Sequence, residues 1–374
     1  MKAIFCLLIL TVMPLTATAQ YSSGELEVIA NGLREETGAP AISVLVMGDG
    51  IVQGEATVGV RSTSSDVLAE NGDLWHVGSI TKSMTATLAA RLVQRGDLDW
   101  DMSVEAALGN QIDDIHPDFA PVTFRELFTH TSGLAPNISR LKFASYARTN
   151  PDARNERLDY ARYMLSRAPT GTPGETFAYS NAGYIIAGAM MEQHLDRRWE
   201  DLIADHVFEP LGLESAGFGA TGSADQLDQP RGHRPVFLAF GHRPVSPANG
   251  RADNPEVLGP AGRVHMTLED LALYASAHVT GETSGGDDFL SDENLQLLHT
   301  PRLDRYAMGW VVQEDGSRPG MLWHNGSNTL NYAEVYSDPV SGLVIAMAAN
   351  SHNARALSLA FRDAARSLYA QLDD

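Results

Sequence analysis

Extended apolar segments occur near the two ends of this 374-residue chain and give way to short helices and loops between them. Ala41 to Met47 is a short apolar run, Gly48-Asp49-Gly50 has the composition of a hairpin turn, and Ile51 to Val60 reads as a second strand. Strand character returns only at Met308 to Gln313, Met321 to His324, Tyr332 to Tyr336 and Leu343 to Ala349. Two strands at one end and four at the other predict one antiparallel sheet built from both termini. The fold class is therefore α/β (α+β), with helices flanking the sheet and an all-helical subdomain inserted into it. The expected division is one domain over 20–374, its α/β part at about 23–80 and 305–374 and its helical part at about 81–304.

The helices are legible from periodicity and caps. Ser23 to Thr37 is amphipathic and ends at Gly38 and Pro40. Ile80 to Gln94 is apolar around most of its surface, which predicts burial. Thr123-Phe-Arg-Glu126 and Thr267-Leu-Glu-Asp270 are capping boxes. Arg154 to Ser166, Asn181 to His194 and Ala354 to Leu372 also read as helices, and Thr221 to Asn254 as a long Gly/Pro/Asp/Arg-rich loop.

Residues 1–19 have the layout of a secretory signal peptide: Lys2, an apolar run from Ala3 to Met13, and Ala17-Thr18-Ala19 before Gln20. A periplasmic or secreted location is the expectation, with no membrane span after signal removal, since no later run of 18 apolar residues exists. The only cysteine, Cys6, lies in that leader, so the mature chain has no disulfide and no thiol nucleophile. The formal charge of −20 argues against binding nucleic acid. Against 24 arginines there are only three lysines: Lys2, Lys82 and Lys142. Arginine cannot give up its proton, whereas a desolvated lysine can, so a lysine kept at position 82 hints at proton chemistry.

That lysine lies in Trp75-His-Val-Gly-Ser-Ile-Thr-Lys-Ser-Met84, which enters the apolar helix. Ser79 and Lys82 fall on one helical face. A serine needs a base to become a nucleophile, and its N–H at a helix start is an unpaired donor. Ser139-Arg-Leu-Lys142 has the same spacing, but in a polar segment with no apolar helix to bury it. A second segment, Tyr179-Ser-Asn181, precedes an apolar helix. A tyrosine beside a positive charge can act as a base, and Asn181 could hydrogen-bond Lys82 and a substrate carbonyl together. A third, His324-Asn-Gly326-Ser327, lies at the end of a predicted strand, where the glycine admits a ligand to the backbone. The Ser327 N–H is then a candidate second oxyanion donor beside that of Ser79.

Ser79-Ile-Thr-Lys82, Tyr179-Ser-Asn181 and His324-Asn-Gly326 together resemble the SxxK, YxN and K/H-x-G motifs of the serine beta-lactamase and penicillin-binding-protein superfamily, in that order. The nearest likeness is to its class C beta-lactamase-like branch, with its DD-peptidases, D-aminopeptidases and family VIII carboxylesterases. Leu127-Phe-Thr-His-Thr-Ser-Gly-Leu134 and Gly259-Pro-Ala-Gly-Arg-Val-His-Met-Thr-Leu-Glu-Asp270 resemble further segments of that family. The resemblance implies an acyl-enzyme on Ser79, with Lys82 as proton partner and Tyr179 as general base. It implies that Asn181 orients Lys82 and substrate, that His324 lines the substrate site, and that the N–H groups of Ser79 and Ser327, beside Gly326, form the oxyanion hole. The implied substrate is a small ester, amide, beta-lactam or cell-wall peptide.

The departures shape the expectation. His324 stands where lysine is usual, Asn325 replaces threonine, and Arg263 stands where many relatives have glycine. A mostly neutral histidine binds a substrate carboxylate less firmly than lysine. The reading therefore favours a carboxylesterase-like hydrolase, with a DD-peptidase, D-aminopeptidase or class C-type beta-lactamase as the alternative and a non-catalytic peptidoglycan or peptide sensor as the alternative of another class. His76, His130 and His265 read as structural. Nothing in the spacing suggests a metal or other cofactor.

Overall fold

In the computed structural model, residues 21–236, 241–314, 316 and 318–372 are described. The leader read at residues 1–19 lies outside them. Six strands form the main sheet: β1 (Ala41–Gly48), β2 (Ile51–Gly59), β3 (Val311–Val312), β4 (Leu322–Ser327), β5 (Tyr332–Ser337) and β6 (Leu343–Ala349). Their order is β2-β1-β6-β5-β4-β3, and every neighbouring pair is antiparallel. The two chain ends meet where β1 pairs with β6, from Ile42 opposite Ala349 to Gly48 opposite Leu343. The mixed fold with its main antiparallel sheet built from both ends is thus the one expected. The segment expected to be all-helical, however, also holds short strands, Gly217–Phe218 and Val264–Met266, which with Trp75–His76 make a small second sheet at the entrance to the buried helix.

Both faces of the central strands are covered, which is why they read as continuous apolar runs. Ile42, Val44 and Val46 of β1, with Ile345 and Met347 of β6, pack on one face against Leu26, Ala30 and Leu33 and against Leu357, Phe361 and Leu368. Those residues belong to the Ser23–Thr37 and Ala354–Ala370 helices. Ala41, Leu45 and Met47, with Val344, Ala346 and Ala348, face the larger core shared with the helical region. The first helix starts at a capping box: Glu25 N–H donates to Ser22 Oγ at 3.3 Å, and the Glu25 carboxylate accepts from Ser22 N–H at 2.9 Å.

The Thr81–Gln94 helix lies inside that larger core, with eleven of its residues buried. It is entered through a single 3-10 turn, Gly78–Ile80, so the expected helix begins in a tighter winding than a regular α-helix. β4 is longer than the predicted strand and takes in the whole of His324 to Ser327. In contrast, the strand expected at Met308 to Gln313 shrinks to Val311–Val312. A tight turn with Asp304 (φ 53°) and Arg305 (φ 59°) precedes it, and Gly309 has φ 82°. A methyl group on Gly309 would lie 2.5 Å from Ser83 N, so this stretch packs on the buried helix instead of extending the sheet. Within the long loop, a short hairpin pairs His233–Pro235 with His242–Pro244.

Sheet and helix entrance meet through two glycines. A methyl on Gly326 would overlap the Val77 carbonyl oxygen and come within 2.5 Å of Ser79 N. A methyl on Gly78, which has φ 53°, would overlap Ser327 N and come within 2.6 Å of the Gly326 carbonyl carbon. No other residue type allows this approach of two backbones. Gly326→Ala should therefore destabilise the fold by about 1–3 kcal/mol through overpacking. Gly32→Ala, in an open helical position, should instead stabilise it by about 0.5–1 kcal/mol. Urea denaturation of both variants measures this; a Gly326→Ala protein as stable as the parent would remove the contact from the account.

Candidate active site

Ser79 sits at the glycine contact, half-buried, in the 3-10 turn. Two hydrogen bonds fasten the turn to the Val264–Met266 strand: Val77 N–H donates to Val264 O at 3.0 Å, and Val264 N–H donates to Thr81 Oγ1 at 3.1 Å. Among the described residues no protein acceptor takes the Ser79 N–H. The Ser327 nitrogen lies against Gly78 on the facing strand. Ser327 spends its hydroxyl elsewhere: Oγ donates to Asn331 O at 2.7 Å and accepts from Thr329 N–H at 2.9 Å. Its contribution to this site is its backbone.

Lys82 is fully buried one turn beyond Ser79. Its Nζ donates to Ser79 Oγ at 3.0 Å and to the Ala261 carbonyl at 2.6 Å. The rings of Tyr179 and Tyr184 lie 5.1 and 5.7 Å from it, centroid to nitrogen. Lys142, with the same spacing from Ser139, is instead part-exposed and pairs with Asp159 at 2.6 Å.

Tyr179 comes from the segment before the Asn181–Leu195 helix. His130 holds both of its neighbours: Ala178 N–H donates to His130 O at 2.9 Å, and Ser180 N–H donates to His130 Nδ1 at 3.1 Å. The imidazole lies 4.3 Å from the Tyr179 ring. Ser79 lies near enough to the Tyr179 hydroxyl to favour its ionisation slightly. Asn181, by contrast, makes no hydrogen bond to the lysine among the described residues. Its Nδ2 donates to Asn137 Oδ1 at 3.1 Å, so in this structure it braces the Pro136–Asn137 loop.

A beta-lactamase family profile matches residues 27–367. The chain belongs to the beta-lactamase family. It is accordingly a serine hydrolase. Penicillin-binding protein 4 of Amycolatopsis lactamdurans is 26% identical over 366 residues, covering 91% of this chain and 88% of that one. The unguisins hydrolase ungD' of Aspergillus campestris is 25% identical over 74% of this chain, which spans about half, 52%, of its length. Among solved structures, EstCE1, a hydrolase with promiscuous acyltransferase activity, superposes with a TM-score of 0.73 at 18% identity, covering 91% of this chain and 97% of its own. The D-amino acid amidase of Ochrobactrum anthropi SV3 gives 0.71 at 18% identity, covering 92% and 97%. At such identities these two structures bear on the fold alone.

The electrostatics of this beta-lactamase-family site are set by desolvation. Burial lowers Lys82 to about 7, and among the described residues no carboxylate pairs with it to restore its charge. Tyr179 is 38% exposed as a residue, yet its hydroxyl end is enclosed: burial raises it to about 12, against a smaller opposing effect of the neighbouring Ser79. Near neutrality the tyrosine is a phenol and the lysine is the group poised to exchange a proton. His324 is driven down to about 3, by burial first and then by Lys82. Its Nδ1 lies 2.6 Å from the Asn325 carbonyl, which places the ring proton there. Nε2 is then the acceptor for the Tyr306 hydroxyl at 3.1 Å. The histidine is neutral with both nitrogens engaged.

A cleft of about 310 Å³ opens beside Tyr179 and His324 and is lined also by Phe177, Tyr306, Trp323 and Val311. A larger cavity, about 630 Å³, lies between β4 and the last helix, away from Ser79. Tyr306 is a site group that motif reading does not find, an isolated tyrosine after a turn. Ala261 lies in the Gly259–Asp270 segment that carries part of the family resemblance, but the part its carbonyl plays, as a backbone oxygen, comes from tertiary packing.

If Lys82 is the base, acylation should rise with pH through about 7 and fall about tenfold per unit below it. The pH profile of kcat/KM for a neutral ester measures this. A rate flat down to pH 5 would exclude the lysine as the titrating base.

Proposed function

We propose that this protein is an exported carboxylesterase-like hydrolase that forms an acyl-enzyme on Ser79. Neutral Lys82 takes the Ser79 hydroxyl proton as Oγ attacks the carbonyl carbon. The carbonyl oxygen becomes an oxyanion between the N–H groups of Ser79 and Ser327. As the tetrahedral adduct collapses, the ester C–O bond breaks, and the lysine proton passes to the leaving alcohol through the Tyr179 hydroxyl. Water repeats the sequence on the acyl-enzyme and releases the acid. Export rests on residues 1–19 of the sequence.

The observation that carries the ester assignment is the state of His324. At the position where a cation would hold a substrate carboxylate, the ring is neutral and both nitrogens are taken. The rest of the cleft is mostly aromatic and aliphatic, with the neutral amide of Asn325, and its one charged lining residue, Asp304, is acidic. This favours neutral acyl groups over beta-lactams and peptides with a free carboxylate. A second reading follows from Asp304 itself, which suits a substrate bearing an ammonium group, such as the amide of an amino acid.

The test compares turnover of a p-nitrophenyl ester, nitrocefin, a D-Ala-D-Ala peptide and an amino-acid p-nitroanilide, with mass spectrometry of the fluorophosphonate-treated protein. The expected result is an adduct on Ser79, preference for the neutral ester, and loss of at least 1,000-fold in rate in Ser79→Ala, on the order of a lost nucleophile. Preference for the anilide would favour the second reading. Undiminished hydrolysis in Ser79→Ala would overturn both.

A further inference from the structure

Three segments must keep register for this site to exist: the turn carrying Ser79, the strand end carrying Ser327, and the stretch whose Ala261 carbonyl takes the Lys82 ammonium. The glycine contact joins the first two. A buried carboxylate outside every motif joins all three.

Asp253 stands at the end of the long loop, with its side chain 6% exposed. Its Oδ1 lies 3.0 Å from His76 Nε2 and accepts from Asn328 Nδ2 at 3.2 Å. Its Oδ2 accepts from Arg263 Nε at 3.1 Å. Each partner is one step from the chemistry. His76 Nδ1 accepts the Gly78 N–H at 3.1 Å, immediately before Ser79. Because Nδ1 accepts a hydrogen bond, Nε2 is the nitrogen that presents a proton to Asp253. That 3.0 Å approach lacks the alignment of a hydrogen bond, so it acts as a charge–dipole contact. Asn328 follows Ser327 and clamps the next turn, its Oδ1 accepting the N–H of Leu330 at 3.1 Å and of Asn331 at 2.9 Å. Arg263 lies two residues after Ala261 and also pairs with Glu256. The loop is seated independently by apolar contact of Val245 and Ala252 with Leu330.

We propose that Asp253 is a positioning residue, whose carboxylate sets the relative placement of the Ser79 N–H, the Ser327 strand end and the Ala261 carbonyl. The inference rests on the acyl-enzyme reading of Ser79. Burial pushes this carboxyl up, but His76, Arg263 and the Asn254 N–H outweigh it and hold it near 2, so it is charged throughout the working range. Arg263, the departure from the family pattern noted in the sequence, becomes the partner that a buried carboxylate requires. An asparagine at 253 cannot serve: its amide offers one acceptor and one donor group where the three partners all present donors.

The experiment counts active sites before comparing rates. Parent, Asp253→Asn and Asn328→Ala are titrated to completion with a fluorophosphonate, and ester turnover is expressed per labelled Ser79. A boronic acid that forms a tetrahedral adduct supplies a second readout. The expected result for Asp253→Asn is near-complete labelling at long times, a per-site kcat reduced at least 100-fold, KM within threefold, and boronate affinity reduced in parallel. Asn328→Ala, which cuts one of the three links and serves if the first variant does not fold, should lose at least tenfold in the same per-site kcat. A purely architectural role would lower the labelled fraction and leave the per-site rate intact. Per-site rates within threefold of the parent in whichever variants fold overturn the proposal. Failure of the parent itself to label at Ser79 would instead overturn the acyl-enzyme reading.

Discussion

The contact on which everything else depends is between two glycines. Gly78 and Gly326 let the turn carrying Ser79 and strand β4 touch backbone to backbone, with the Val77 carbonyl and the nitrogens of Ser79 and Ser327 in the space side chains would need. Backbone N–H groups gathered in this way need no reorganisation as charge develops, which is the physical advantage of an oxyanion site made from main chain. The sheet matters here as a rigid support. β4 is fixed by β5, β5 by β6, and β6 by the N-terminal hairpin, so the Ser327 position is held by strands from both ends of the chain.

The second constraint is the dry surroundings of Lys82. Its neighbours are a serine hydroxyl, a carbonyl and tyrosine rings, none of which neutralises an ammonium. Lysine is bound to lose proton affinity there, and arginine could not. The arrangement opposes stability, with a definite sign. An unfolded lysine keeps its proton to about 10.5, whereas Lys82 releases it near 7. Between those values the native state binds one proton fewer, so stability rises with pH across this window, and below about 7 the burial penalty is present in full. Under the proposed mechanism this cost is what makes Lys82 able to take the Ser79 proton.

Much of this was legible in the sequence, and the parts that were not share a cause. Short apolar runs and turn chemistry revealed the hairpin Ala41–Gly59 and the return of strands at the C-terminus, because those signals are local. The spacing of Ser79 and Lys82 was visible but not unique; burial separates it from Ser139 and Lys142, and burial is tertiary. Asn181 was expected at the lysine and lies on Asn137. The strand at Met308 was overruled by left-handed residues and by packing on Ser83. His130 and His76, read as architectural, each accept a backbone N–H beside a site residue, a distinction no spacing encodes. Tyr306 and Asp253 come from segments whose own sequences carry no chemical motif, and the Ala261 carbonyl, though inside the Gly259–Asp270 segment, is brought to Lys82 by tertiary packing.

The central claim about this molecule is that the carbonyl oxygen of a substrate occupies the gap beside the glycine pair. A crystal structure of the fluorophosphonate adduct tests this directly. The account predicts phosphorus bonded to Ser79 Oγ and one phosphoryl oxygen at about 2.7–3.1 Å from both Ser79 N and Ser327 N. A phosphoryl oxygen directed to solvent, or an adduct on another residue, would contradict it.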